Sequence, residues 1–189
     1  MIAVSVHEFA HGWVAYKLGD NTAKSRGRLS LNPLAHVDPM GTLILPLLIF
    51  IGTQGRFIFG AAKPVPVNFS ALRNPKRDMI WIGLSGPAAN FLFAIFLSMI
   101  ASVKLLPPAA VLILHTLILI NVVLGVFNLV PIPPLDGSRV IMGLLPNSLA
   151  RAYVKIEPYG FFIVILLIYL GLLNSFVWPV VNRILGMLL

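Results

Sequence analysis

The sequence predicts a mainly α-helical membrane protein, a polytopic bundle of about four spans with a re-entrant segment and short edge β-strands. It reads as a single membrane-embedded domain over residues 1–189. Three observations predict this. Hydrophobic residues make up 58% of the chain and charged residues only 11%, where a soluble domain carries about 25% charged residues. Mean hydropathy is +0.93, and apolar runs of near-spanning length recur. The basic residues lie in the gaps between those runs, with twelve of the fourteen Lys and Arg in segments 17–77 and 139–155.

The same composition excludes several classes. A cytosolic globular fold and a disordered chain both need far more charge. The absence of cysteine removes disulfides, thiolate-bound zinc, iron–sulfur clusters and cysteine nucleophiles. The net charge of +8 reads as topogenic charge on one side of a bilayer. No basic patch interleaved with stacking aromatics points to nucleic acid.

The first element is an apolar helix over 1–18, ended by Gly19-Asp20-Asn21. It reaches roughly 27 Å, just short of a full span. It has neither the basic start nor the small-residue cleavage site of a signal peptide. Residues 26–68 hold strands and the re-entrant segment. Arg26–Leu31 reads as a short strand closed by Asn32-Pro33, and Phe57–Asn68, with two prolines, as one or two edge strands. Between them Met40–Gly52 is 13 residues long. That is near 20 Å as a helix, too short to cross about 30 Å of hydrocarbon. Basic residues flank it on both sides, so it re-enters rather than crosses.

Two core spans follow, 79–103 and 109–130, joined by a turn at Pro107-Pro108. The second must break at Pro131-Ile132-Pro133-Pro134. Residues 131–146 form a short segment with one helical element, and 159–178 is the final span. By the positive-inside rule, segments 17–77 and 139–155 face the cytoplasm, with Lys104 and Arg183 on the other side.

One motif carries chemistry. His7-Glu8-Phe9-Ala10-His11 is H-E-x-x-H. On a helix, residues i and i+4 share a face, so both imidazoles can grip one metal ion while Glu8 acts on water held there. Zinc suits such nitrogen and oxygen donors. Two ionisable imidazoles and a carboxylate are costly inside an apolar segment unless they are used.

A catalytic zinc takes a third protein ligand and keeps one position open. The remaining candidates are Asp20, Asp38, Asp78, Asp136, Glu157, His36 and His115. Asp20, Asp78 and Glu157 read as solvent-exposed boundary residues, and Asp38 as a helix cap. Asp136 stands apart, because it follows the proline-broken segment at membrane depth, where a broken helix can aim a carboxylate into a cavity. Gly137 beside it allows close backbone approach.

The sequence resembles the site-2 protease family of intramembrane zinc metalloproteases, in its compact bacterial or archaeal branch. The resemblance rests on His7–His11, on Ser85-Gly86-Pro87-Ala88-Ala89-Asn90, and on the run from Asn128 to Leu135-Asp136-Gly137. Segments 28–41 and 60–68 are similar too. The resemblance implies Zn2+ held by His7, His11 and Asp136, with Glu8 as the base. It places Asn90 and Asn128 near the scissile bond, to hold substrate or a developing oxyanion.

It also implies membrane-protein substrates with a transmembrane segment, cleaved within the lipid bilayer of a prokaryotic cell membrane. Family members carry a spanning helix before the His-Glu helix, whereas Met1 here lies six residues before His7. The start is therefore either shortened or a minimal form. The alternative class is a non-proteolytic metal-binding membrane protein: a transporter, a sensor or an inactive scaffold. Against a transporter, no paired inverted repeat is visible. Against a scaffold, Glu8 has no use in a site that only binds. Substrate identity and oligomeric state are not written in the sequence.

Overall fold

A computed structural model describes residues 1–52, 54–55, 60, 62–103 and 105–189, without the side chain of Ile49. Helix α1 spans Ile2–Lys17 and stops at Gly19, whose φ of +114° suits only glycine. A one-turn helix, α2 (Thr22–Ser25), follows. Pro39–Ile44 forms a wide π-type turn that runs into α3 (Leu45–Gly52). Asp38 caps this segment by accepting the Gly41 N–H at 2.7 Å. The segment is short, apolar and helical, as its length predicts.

The long helix α4 (Pro75–Ala101) is the centre of the fold. Proline at its first position suits a start where no N–H partner is needed. Asp78 closes the first turn by accepting the Asn74 N–H at 2.9 Å. Helix α5 (Pro108–Asn128) pairs with it, and α1 and α6 (Asp136–Leu144) pack on its other faces. The chain ends in α7 (Asn147–Val154), α8 (Glu157–Tyr169) and α9 (Leu172–Leu188).

The main core lies where α4, α5 and α9 meet. There Ala94 and Leu97, Ile118 and Val122, and Val177 and Val181 pack together. Outside it, Leu92, Phe96 and Met99 of α4 and Leu112, Ile113 and Ile120 of α5 are exposed. So large an apolar surface is untenable in water and ordinary against lipid. Helices α4 and α5 are long and apolar enough to cross a membrane. A third span arises if α7 and α8, bent by 68°, count as one. The protein is an integral membrane protein.

Several expectations need correcting. About four spans become two to three, by length and composition, among the described residues. Helix α1 has 16 residues, too few to cross. The expected span 159–178 is split at Leu170-Gly171, where Gly171 takes φ +72° and starts α9. Among the described residues no strand forms. Arg26–Leu31 is turn and extended chain instead. Its polar groups bond to side chains and to one neighbouring segment rather than to a ladder: an Arg28 guanidinium N–H donates to Lys63 O at 2.7 Å, and the His36 ring meets Ser30 O at 2.8 Å. The Lys63 N–H donates to His36 O, so residues 62–68 run as extended chain beside this loop. Phe57, Ile58, Phe59 and Ala61 of the expected edge strands lie outside the described residues.

Asp20 and Asp78 are buried, not solvent-facing. Asp20 is a joint: it accepts N–H groups from Thr22 and from Asn68, tying the end of α1 to the chain that leads into α4.

The close approaches make a test. A Cβ at Gly160 would clash with the Pro133 carbonyl, whereas one at Gly186 meets nothing within 4 Å. Gly160→Ala is expected to destabilise by about 1–3 kcal/mol. Gly186→Ala, in an open helical position, should change stability by no more than about 1 kcal/mol, in the stabilising direction. Thermal unfolding in detergent reads both.

Candidate metal centre

Helix α1 presents His7 and His11 one turn apart on its buried face, against α4. This face can seat there because of Gly86. A Cβ at that position would lie 2.6 Å from His7 Cε1 and nearer still to His11 Nε2. The glycine of Ser85-Gly86-Pro87 is thus the surface on which both imidazoles rest. It lies in the middle of α4, and the helix runs on through Pro87.

Asp136 arrives from the other side. The chain leaves α5, runs through the proline break and enters α6 at Asp136. Tyr153 pins this break by donating its hydroxyl to Pro131 O at 2.7 Å. Gly160 lies directly on the Pro133 carbonyl, and Gly137 on that of Leu129. Both glycines admit contacts that any Cβ would prevent.

The three groups converge. His7 Nε2 lies 2.9 Å and His11 Nε2 3.1 Å from Asp136 Oδ2, and the two Nε2 atoms are 3.0 Å apart. All three residues are buried. The outward ring atoms explain the chemistry. His7 Nδ1 is 2.7 Å from the Asn90 amide oxygen, and His11 Nδ1 is 2.7 Å from the Ile82 carbonyl. Both partners accept, so each Nδ1 carries the proton and each Nε2 turns a lone pair inward.

Two nitrogen lone pairs and a carboxylate oxygen then face one another in a buried space, and only a shared cation reconciles them. Tetrahedral ligands at about 2.0–2.1 Å from zinc lie about 3.3 Å from one another, a small opening from the separations seen. The donor set fits zinc with one position left open.

Glu8 is half-buried. Its Oε2 accepts the Val65 N–H at 2.7 Å. Pro64 and Pro66 have no N–H to offer, so Val65 is the one backbone donor within residues 64–66. Its bond fixes one carboxylate oxygen and leaves the other for chemistry.

The remaining predicted residues divide. Asn90 is buried against His7, and both its amide hydrogens are taken, by Ala3 O at 3.0 Å and Asn121 Oδ1 at 2.8 Å. No donor is left there for an oxyanion. Asn128 bonds only its own helix among the described residues, at Leu124 O. His36 and His115 lie outside the cluster. Asn121 was not anticipated. Its signal was its place seven residues before Asn128, two helical turns away on the same face of an otherwise apolar span. An open, apolar cavity of about 790 Å3 borders the site through Ser85, walled by Trp13, Trp81, Leu84 and Phe91.

A membrane helix bundle that drives two imidazoles and a carboxylate onto one point beside a glutamate defines a membrane-embedded metallohydrolase. The profile of peptidase family M50 matches residues 104–171. YwhC of Bacillus subtilis is 37% identical over 192 residues, covering 96% of this chain and 83% of that protein. Rip2 of Mycolicibacterium smegmatis is 32% identical over 183 residues, covering 96% and 69%. Zinc metalloprotease MJ0392 of Methanocaldococcus jannaschii is 27% identical over 147 residues, 78% of this chain and 33% of its own length. No solved structure matches the chain. The chain belongs to peptidase family M50, the site-2 protease family.

Gly86→Ala tests the seating of the imidazoles. The added methyl must displace a ring, so zinc affinity is expected to fall at least about tenfold. Zinc titration against a competing chelator measures it, and an unchanged affinity would mean the rings do not rest on α4.

Proposed function

We infer that the protein is an intramembrane zinc metalloprotease, hydrolysing peptide bonds in or near transmembrane segments of membrane proteins. The observation that supports this best is the meeting of three inward acceptors beside a carboxylate that the metal does not need. His7, His11 and Asp136 hold zinc. Zinc, when bound, supplies a Lewis acid that polarises a peptide carbonyl and makes water more acidic.

Glu8 takes the proton from the attacking water on its unbonded oxygen, then delivers it to the leaving nitrogen. The Val65 N–H keeps that carboxylate from turning away. Asn90 works through His7 rather than on substrate. Asn128, at the end of α5, is the polar group offered to substrate. The apolar cavity between Trp13, Trp81 and Phe91 takes side chains of the segment being cut. A helical substrate hides its carbonyls in its own hydrogen bonds, so it must unwind to reach the site.

Glu8→Gln separates this reading from a transporter, sensor or scaffold. The variant should keep zinc and lose cleavage of a single-span peptide by about 10²–10⁴-fold. Zinc bound without cleavage by the wild-type chain would support the non-proteolytic alternative.

The topology belongs to the same reading. The site faces the cytoplasmic side of a prokaryotic cell membrane, and Pro39–Gly52 re-enters rather than crosses. The chain has no cysteine, so single-cysteine labelling from outside tests this directly. Leu105→Cys, on the fully exposed turn between α4 and α5, should react with an impermeant thiol reagent on intact cells. Lys24→Cys and Leu149→Cys should react only after lysis. The reverse pattern would invert the topology.

A further inference from the structure

We propose that Asn121 is a positioning residue of the metal site, fixing the tautomer of His7 through Asn90. This rests on the reading of His7 as a zinc ligand. The chain of polarity starts at a group that cannot reverse. Leu117 O only accepts, and the Asn121 amide nitrogen donates to it at 2.8 Å. The oxygen of Asn121 must therefore face the other way, where it accepts from the Asn90 amide nitrogen at 2.8 Å. That nitrogen also donates to Ala3 O, another fixed acceptor, at 3.0 Å.

With both hydrogens of Asn90 committed, its oxygen is turned to His7 Nδ1 at 2.7 Å. An oxygen there demands a proton on Nδ1, and the proton on Nδ1 leaves Nε2 bare for the metal. If the Asn90 amide turned over, an N–H would face Nδ1. The ring would then move its proton to Nε2, the one place where it blocks a cation.

Both asparagines are completely buried. No water competes for their groups, so each orientation is set by its neighbour alone. The relay also joins three helices at one point: α1 through Ala3 and His7, α4 through Asn90, and α5 through Asn121. His11 needs no such relay, because its Nδ1 meets the backbone carbonyl of Ile82 directly. The two ligands are therefore held differently, one by an unalterable carbonyl and one by a side-chain amide that the Ala3 carbonyl and a second amide orient together.

The test is a double-mutant cycle on zinc affinity, read by chelator competition in detergent. Thermal unfolding of the metal-free protein establishes that each variant is folded. Asn90→Ala should weaken zinc binding about 10–100-fold, and Asn121→Leu about tenfold. The double variant should bind no more weakly than Asn90→Ala, since Asn121 acts only through Asn90. Asn121→Asp, which keeps an oxygen toward Asn90, should stay within about threefold of wild type.

Wild-type affinity in Asn121→Leu overturns the proposal. So do losses that multiply in the double variant, or an Asn121→Asp loss as large as that of Asn121→Leu. If Asn121→Leu does not fold, Asn121→Ala takes its place in the cycle. A wild-type chain that takes up no zinc would instead refute the metal site itself, so the two failures are distinct.

Discussion

Three hydrogen-bond acceptors pressed together in a buried space are the constraint on which this protein depends. His7 Nε2, His11 Nε2 and Asp136 Oδ2 lie 2.9–3.1 Å apart, with no donor among them once both Nδ1 atoms carry their protons. Left without a cation, that arrangement is repulsive, and in a low-dielectric interior the repulsion is strong. The fold holds it together from three directions. Helix α1 brings the imidazoles, α4 supplies the flat surface at Gly86, and the proline break after α5 turns Asp136 back onto them.

That geometry explains why so many backbone approaches are close. Gly86, Gly137 and Gly160 each sit where a methyl group would collide with a ring or a carbonyl. The proline break carries no regular ladder of its own, yet it is clamped by Tyr153, by α8 and by the end of α5. A carboxylate on a loose loop would be a poor ligand. Rigid support converts the break from a weakness in a span into a fixed arm. The Asp20 joint does similar work at the far end of α1, where it ties the metal helix to the chain leading into α4.

Much of the site was legible because its signals are local. The i, i+4 spacing of His7 and His11 is a property of any helix. The prolines before Asp136 announce a broken span without further context. Other features depend on which surfaces meet, and a sequence does not print that. Gly86 is one residue of a motif until α1 is seen lying on it. Asn90 reads as a substrate contact until its donors are found committed to Ala3 and Asn121. Asp20 looks like a solvent-facing boundary residue because its partners, Thr22 and Asn68, include one that is distant in sequence. Arg26–Leu31 fits a strand as well as an extended chain pinned by side chains, and only the partners decide. Gly171 splits the last span by a positive φ, a choice that a run of apolar residues does not disclose.

The most direct measurement is zinc K-edge X-ray absorption on the purified protein in detergent. One zinc per chain is expected, with two imidazoles and at least one oxygen coordinated at about 2.0–2.1 Å. Replacement of Asp136 by alanine should change the oxygen contribution while both imidazoles persist. A protein that holds no zinc, or holds it without imidazole scattering, would show that His7 and His11 are not metal ligands.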